Sequence, residues 1–191
     1  MNNSKIRIKT CSKGEQKKGE NVMKIPNSVK DFIEQKIEIL EISTLPQFYP
    51  KLESFENFQL GYKVNAKTGE KLTGGKDGNF RENWYVVCSN YYNDPFFVDF
   101  SEEVKNFPVY FARSGDGRWT PIEVAESLSS FLVHISRIRD IENEKNKVLE
   151  YIKGNFDLNN ALWGETYNEC FEYLEEFGEL PLEQDKVIPI K

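Results

Sequence analysis

With 191 residues, of which 39 % are hydrophobic and 14 % aromatic, the chain has enough apolar surface to build one domain around a sizeable core. No apolar run approaches the roughly 20 residues that cross a bilayer, and a formal charge of −6 opposes binding to nucleic-acid phosphates. The charge is unevenly spread: residues 1–24 hold seven Lys/Arg against two Asp/Glu, and residues 25–191 hold 18 against 29, a balance that favours a basic partner.

Residues 1–22 are polar and Lys-rich, a composition that cannot repay the entropy of ordering. We read them as a flexible basic tail rather than a nucleic-acid-binding arm, although Lys5–Lys9 alternates as an edge strand would. They contain no apolar core of a secretory leader, so the expected location is the cytoplasm. Cys11, Cys88 and Cys170 are odd in number and lack CxxC spacing, which describes neither a disulfide framework nor a zinc site. Cys88 is expected to be a small buried hydrophobe. No metal or cofactor is expected.

From Ser28 to about Glu41, Val29, Phe32, Ile33, Ile37 and Leu40 recur at helical spacing, with Ser28 and Asp31 as the N-terminal signal. Phe58–Val64 alternates like a strand. Gly69–Gly78 is the nearest approach to a phosphate-binding loop, and it fails. Glu70 stands where the first glycine belongs and Asp77 replaces the hydroxyl that would hold magnesium, so a mobile hairpin loop is the expected structure.

Trp84–Ser89, Pro95–Ser101 and Phe107–Ala112 are short runs rich in Val, Phe and Tyr, separated by turn residues. They predict an antiparallel meander. Asp94 precedes a proline and suits a turn, and Asp99 sits on an alternating strand; both invite a catalytic reading as paired carboxylates, but the turn and solvent-facing readings are preferred.

The order of these segments carries a family resemblance. A Trp84-Tyr-Val-Val strand comes first, then Asp94-Pro95 with Phe-Phe-Val-Asp and then Pro108-Val-Tyr-Phe. A glycine-rich turn with Trp119 and the run Ala125–Leu132 complete the series. Together they resemble the SUKH superfamily of bacterial immunity proteins and fungal regulators of cell-wall synthesis. The resemblance spans about Gly61 to Leu132, with Ile25-Pro26 opening what looks like the family's entry helix; past residue 140 the pattern stops. Where many bacterial relatives have a His-Gly turn, this chain has Arg113-Ser-Gly-Asp-Gly117, so no role of that His carries over.

Thr120–Glu123 fits a capping box, but the resemblance implies extended Ile122–Ala125 and a helix capped at Ser127, and we adopt the latter. Leu128, Phe131, Leu132, Ile135 and Ile138 then face the core. His134, the only histidine, is expected to be structural or half-exposed. After the charged stretch Asp140–Lys147, apolar residues resume, with Gly154 as a C-cap. A last helix is expected from Asn159 or Trp163 to Phe177, stopped by Gly178 and Pro181. Gly154–Asp185 contains no Lys or Arg and nine acids, from Asp157 to Asp185. Like charges at helical spacing cost a few tenths of a kcal/mol per pair. The acidic face is therefore either a solvated surface or a dock for a basic protein.

The expected architecture is α+β: a flexible tail over 1–22, a SUKH-like domain over 23–140 with an antiparallel meander extended by one or two strands near Gly61, and a helical extension over 141–191 packed on that domain. With no nucleophilic or metal constellation in the sequence, binding is preferred to chemistry, and the resemblance implies an immunity protein that neutralises a toxin. The candidate partner-binding residues are Tyr91, Tyr92, Arg113 and Trp119 in turns at strand ends, and Glu165, Glu169, Glu172 and Glu176 on the last helix. Trp119 serves equally well as a core lid. A regulator of cell-envelope synthesis, or a carbohydrate-active hydrolase using Asp94, Asp99 or Glu123, are the rival readings.

Overall fold

The computed structural model describes residues 24–178. The basic segment 1–22, Cys11, Pro181 and the acids Glu179, Glu183 and Asp185 lie outside the described residues. The fold is α+β. Four antiparallel strands, β1 (Trp84–Ser89), β2 (Pro95–Asp99), β3 (Val109–Phe111) and β4 (Ile122–Ala125), run as a meander in chain order. Helix α1 (Asn27–Gln35) precedes the sheet, and α2 (Leu128–Ile141), α3 (Lys145–Asn155) and α4 (Ala161–Phe177) follow it.

Alternation along the strands divides the sheet into two faces. Phe96 and Val98 of β2 and Val109 and Phe111 of β3 turn toward the helices, where they join Phe32, Phe131, Ile135, Val148, Ile152 and Trp163 in one core. Helices α3 and α4 share that core. A bulge between Val86 and Cys88 lets consecutive Val87 and Cys88 both enter it. The other face presents Trp84, Val86, Phe97, Tyr110 and Ala112, over which Phe80, Tyr62 and Trp119 pack as a second, smaller cluster.

Both sheet edges are closed, β1 by a side chain and a backbone bridge and β4 by side chains, which denies pairing to other strands. At β1 the Gln59 amide donates to Val86 O at 3.0 Å and accepts from Val86 N at 2.9 Å, and Phe48 pairs with Ser89. At β4, Trp163 Nε1 donates to Val124 O at 3.1 Å and Asn160 Nδ2 to Glu123 O at 2.8 Å.

The expected strand over Phe58–Val64 is not formed. A 3₁₀ segment over Leu52–Gln59 occupies its start, and Gly61 at φ +90° turns the chain. The alternation misled because Gln59 and Lys63 are buried for polar reasons, Gln59 to complete the β1 edge. The first helix also ends early, at Gln35. Lys36 adopts a left-handed cap, and Ile37 and Ile39 are then buried on an extended segment whose period of two hides inside the helical spacing. Ser28 lies within the helix and makes no cap; Pro26 precedes it. The adopted reading after Trp119 matches the structure: Ile122–Ala125 is a strand, and Ser127 Oγ caps α2 by accepting from Ser130 N at 3.1 Å. Gly154 lies inside α3, which is capped at Phe156.

Lys63 is only 8 % exposed, its ammonium 3.3 Å from the centroid of the Tyr85 ring and donating to Glu82 O. Desolvation lowers its pKa from 10.5 to about 8, against the pull of Glu82. A lysine whose folded pKa lies below its unfolded value makes the unfolded state the better proton binder between the two, so stability rises with pH across that window. Measured against Lys63→Met, the wild type is expected to gain about 2 kcal/mol between pH 8 and 10.5, after allowing for water that reaches the ammonium. Urea titrations at both pH values check this, and a pH-independent difference contradicts it.

Candidate functional site

The turn between β1 and β2 and the turn after β3 emerge at the same end of the sheet, beside α4. Asn90 builds the first: its Oδ1 accepts from Tyr92 N at 3.0 Å and Asp94 N at 2.8 Å, and Asn93 adopts φ +62°. Tyr91 and Tyr92 are left 62 % and 56 % exposed, their rings edge to face at 5.5 Å. Asp94 Oδ1 accepts from Ser114 N at 2.7 Å and Ser114 Oγ at 2.9 Å, binding the two turns together and placing Arg113 next to Tyr92. Asp94 is thus a brace.

Across from these turns, α4 starts at Asn160, whose Oδ1 accepts from Leu162 N at 3.1 Å. Its buried face carries Leu162, Trp163, Thr166, Cys170 and Leu174, which puts Glu165, Glu169, Glu172 and Glu176 along the side flanking it at intervals of one helical turn. Gly164 allows the closest approach: a Cβ there would collide with the carbonyl of Leu158. Between helix and turns lies an open groove of about 570 Å³, lined by Ser43, Tyr92, Arg113, Glu165, Glu169 and Glu172 among others.

Five of the eight candidate residues therefore meet in one place, with Tyr91 adjoining. Arg113 pairs with Glu165 at 2.8 Å; both are exposed, so the pair adds little stability. Glu169 is the residue the sequence misrepresented. Its carboxylate accepts from Ser43 N at 2.6 Å, Ser43 Oγ at 2.6 Å and Thr44 N at 3.1 Å, and lies 2.9 Å from Thr44 Oγ1. Tyr92 Oη, 3.1 Å from Ser43 Oγ, continues this chain to the surface. Glu169 is therefore an internal strap, and Glu172 and Glu176 are the exposed charges of the set. Glu142 repeats the device, accepting from Leu40 N at 2.8 Å and Glu41 N at 2.9 Å. Ser43 and Thr44 were missed as site residues. No local signal marks them, because their partner lies more than 120 residues away.

Trp119 is not in the groove. It is half-buried against Phe80 and Tyr62, at ring separations of 5.5 and 5.8 Å, as the lid of the second cluster. Its position depends on Gly78, which takes φ +80° and accepts from Trp119 N at 2.8 Å; a Cβ there would sit 2.9 Å from that of Arg118. His134 lies at the α2–α3 contact, Nδ1 2.8 Å from Tyr151 Oη, and burial holds its pKa below the ordinary value. Cys88 and Cys170 are buried, and burial pushes both thiols up, Cys170 to about 12. Asp99 caps a 3₁₀ turn over Phe100–Lys105 through Ser101 N at 2.8 Å, and Glu123 is exposed on β4. Among the described residues no helix is long and apolar enough to cross a membrane.

Comparison of the chain with protein-family models, curated proteins and solved structures returns no match.

Proposed function

We propose that this chain is a non-enzymatic protein-binding module, an immunity protein of the SUKH type that neutralises a bacterial toxin by direct binding. The observation that carries the binding reading is the meeting of Tyr91, Tyr92 and Arg113 with the acidic side of α4 around one groove. Exposed tyrosines give rigid amphipathic contact area at low entropic cost, and flanking carboxylates attract a basic partner from a distance. The toxin assignment rests on the order of segments from Trp84 to Leu132. Co-purification with the toxin domain encoded beside this gene, together with protection of cells expressing that toxin, is the expected result; failure of both ends the reading for that pair.

The alternative of a cell-envelope regulator uses the same surface with a host protein, and the absence of a toxin gene nearby would favour it. The hydrolase alternative has less support, because Asp94 is committed to Ser114 and Asp99 to Ser101.

The charge argument yields its own prediction. Replacing both Glu172 and Glu176 by Lys is expected to slow association with a basic partner about tenfold at low ionic strength, with the deficit shrinking as salt screens the field. Stopped-flow rates across a salt series measure this. An unchanged rate assigns those carboxylates to the solvent alone.

A further inference from the structure

The second face of the sheet is less fully covered toward the start of β1. Strand register aligns Trp84 with Asp99, Phe97 with Tyr110, and Tyr110 with Glu123, and directly opposed residues share a face. Phe80, Tyr62 and Trp119 cap this face over Val86 and Ala112, and Phe80 also meets Trp84 edge to face at 5.3 Å. Toward the start of β1, far from the tyrosine turn, a cleft of about 200 Å³ stays open between Trp84, Asp99, Glu102, Tyr110 and Pro121. Phe97, fully buried, lies between its aromatic walls, 4.9 Å from the Trp84 ring and 5.9 Å from that of Tyr110.

We propose that this cleft receives a single arginine side chain of a protein partner, the guanidinium lying against Trp84 and Tyr110 and hydrogen-bonded by Asp99 Oδ2, the oxygen Ser101 does not engage, and by Glu102 Oε1 in place of Lys105, while Glu102 Oε2 keeps its 2.9 Å bond from Tyr110 Oη. The aromatic walls supply quadrupoles that attract a cation, and the rim supplies charge of the right sign. Lys105 partly offsets that charge. Its ammonium sits 2.7 Å from Glu102 Oε1 on a side chain 68 % exposed. The hydrogen bond to Glu102, with the nearby charges of Glu102, Glu123 and Asp99, raises its pKa. Asp99 and Glu102 line the cleft and Glu123 lies near Lys105, so the one exposed ammonium leaves the cleft net negative. Arginine fits better than lysine because its planar, weakly hydrated guanidinium stacks on rings and forks onto two carboxylates. This site lies apart from the groove beside α4, and it stands whether or not that groove binds a toxin.

The test is a titration of the full chain, ¹⁵N-labelled, with N-acetyl-arginine amide, following the Trp84 indole resonance identified by its loss in Trp84→Phe. A saturable shift with a millimolar Kd is expected, and at least about tenfold weaker binding of N-acetyl-citrulline amide, which keeps the shape and lacks the charge. Lys105→Ala, a surface change that removes the competing ammonium, is expected to tighten arginine binding about threefold or more, and Asp99→Asn added to it to reverse the gain. The proposal is overturned if Trp84 shows no saturable shift even in Lys105→Ala, if citrulline matches arginine, if Lys105→Ala leaves the affinity unchanged, or if N-acetyl-lysine amide binds as tightly.

Discussion

Glu169→Ala is expected to destabilise the protein by about 3 kcal/mol, one of the largest effects of any single substitution on the acidic side of α4. Replacement of a solvent-facing glutamate normally changes stability by less than about 0.5 kcal/mol. Glu169 differs because it satisfies the backbone N–H groups of Ser43 and Thr44 and the Ser43 hydroxyl, and shares the Thr44 hydroxyl with Thr166 Oγ1. Thr44 is only 4 % exposed, so removing the carboxylate leaves donors that water cannot readily reach. For a chain of this size such a loss lowers Tm by roughly 6–12 °C. Glu169→Gln keeps one acceptor oxygen but turns an amide donor toward other donors, and is expected to lose less. Urea denaturation with unchanged slope and a shifted midpoint measures both. The same substitution frees the segment that positions Tyr92, so partner binding should weaken along with stability. A Glu169→Ala protein as stable as the wild type would show that the strap contributes nothing and would return Glu169 to the free acidic face.

The contrast between Glu169 and its neighbours shows where sequence reading stops. The spacing of Trp163, Cys170 and Leu174 located α4, because burial of one helical face leaves a 3.6-residue signature whatever it packs against. The three aromatic strand runs were legible for the same reason, being decided by residues close in sequence, whereas the Ser127 cap came from the resemblance against a local capping-box signal at Thr120–Glu123. The helical spacing also put Glu165, Glu169, Glu172 and Glu176 on one side, correctly. It carried no information about which of them meets a backbone segment from the other end of the chain. Ser43 and Thr44 are polar residues ahead of Pro46, and their N–H groups have to be satisfied somewhere. Only tertiary structure shows that α4 does so. Polar burial misled the Gly61 region in the same way, since Gln59 and Lys63 occupy positions that a pattern of apolar and polar residues assigns to solvent. Tyr91, Tyr92 and Arg113 could be placed in turns from sequence, whereas their convergence follows from Asp94 bridging to Ser114, a contact spanning 20 residues.

Phe80→Ala probes the anchor that follows the Gly69–Gly78 connection, which the sequence read as a mobile hairpin loop, and its expected cost is about 3–5 kcal/mol. Phe80 is fully buried and touches four rings, with centroid separations of 5.3 Å to Trp84, 5.2 Å to Phe97, 5.5 Å to Trp119 and 6.1 Å to Tyr62. The segment leading to it has little regular structure of its own, being held by isolated bridges of Val64 with Lys71 and Thr73 with Phe80. Its attachment to the sheet therefore depends on this one ring more than on backbone pairing. Truncation to Ala opens a cavity under Trp119 and removes the anchor, so the Gly69–Gly78 connection should become a preferred site of limited proteolysis, and Trp fluorescence should shift to the red as Trp119 meets water. Leu72→Ala in the same segment, at a side chain 40 % exposed, is expected to change stability by less than about 0.5 kcal/mol and leave the protease pattern alone. If Phe80→Ala stays within about 1 kcal/mol of the wild type and resists protease, the second cluster is not what holds this segment down. In that case Trp119 would not owe its place to the lid, and its availability to a partner would have to be judged afresh.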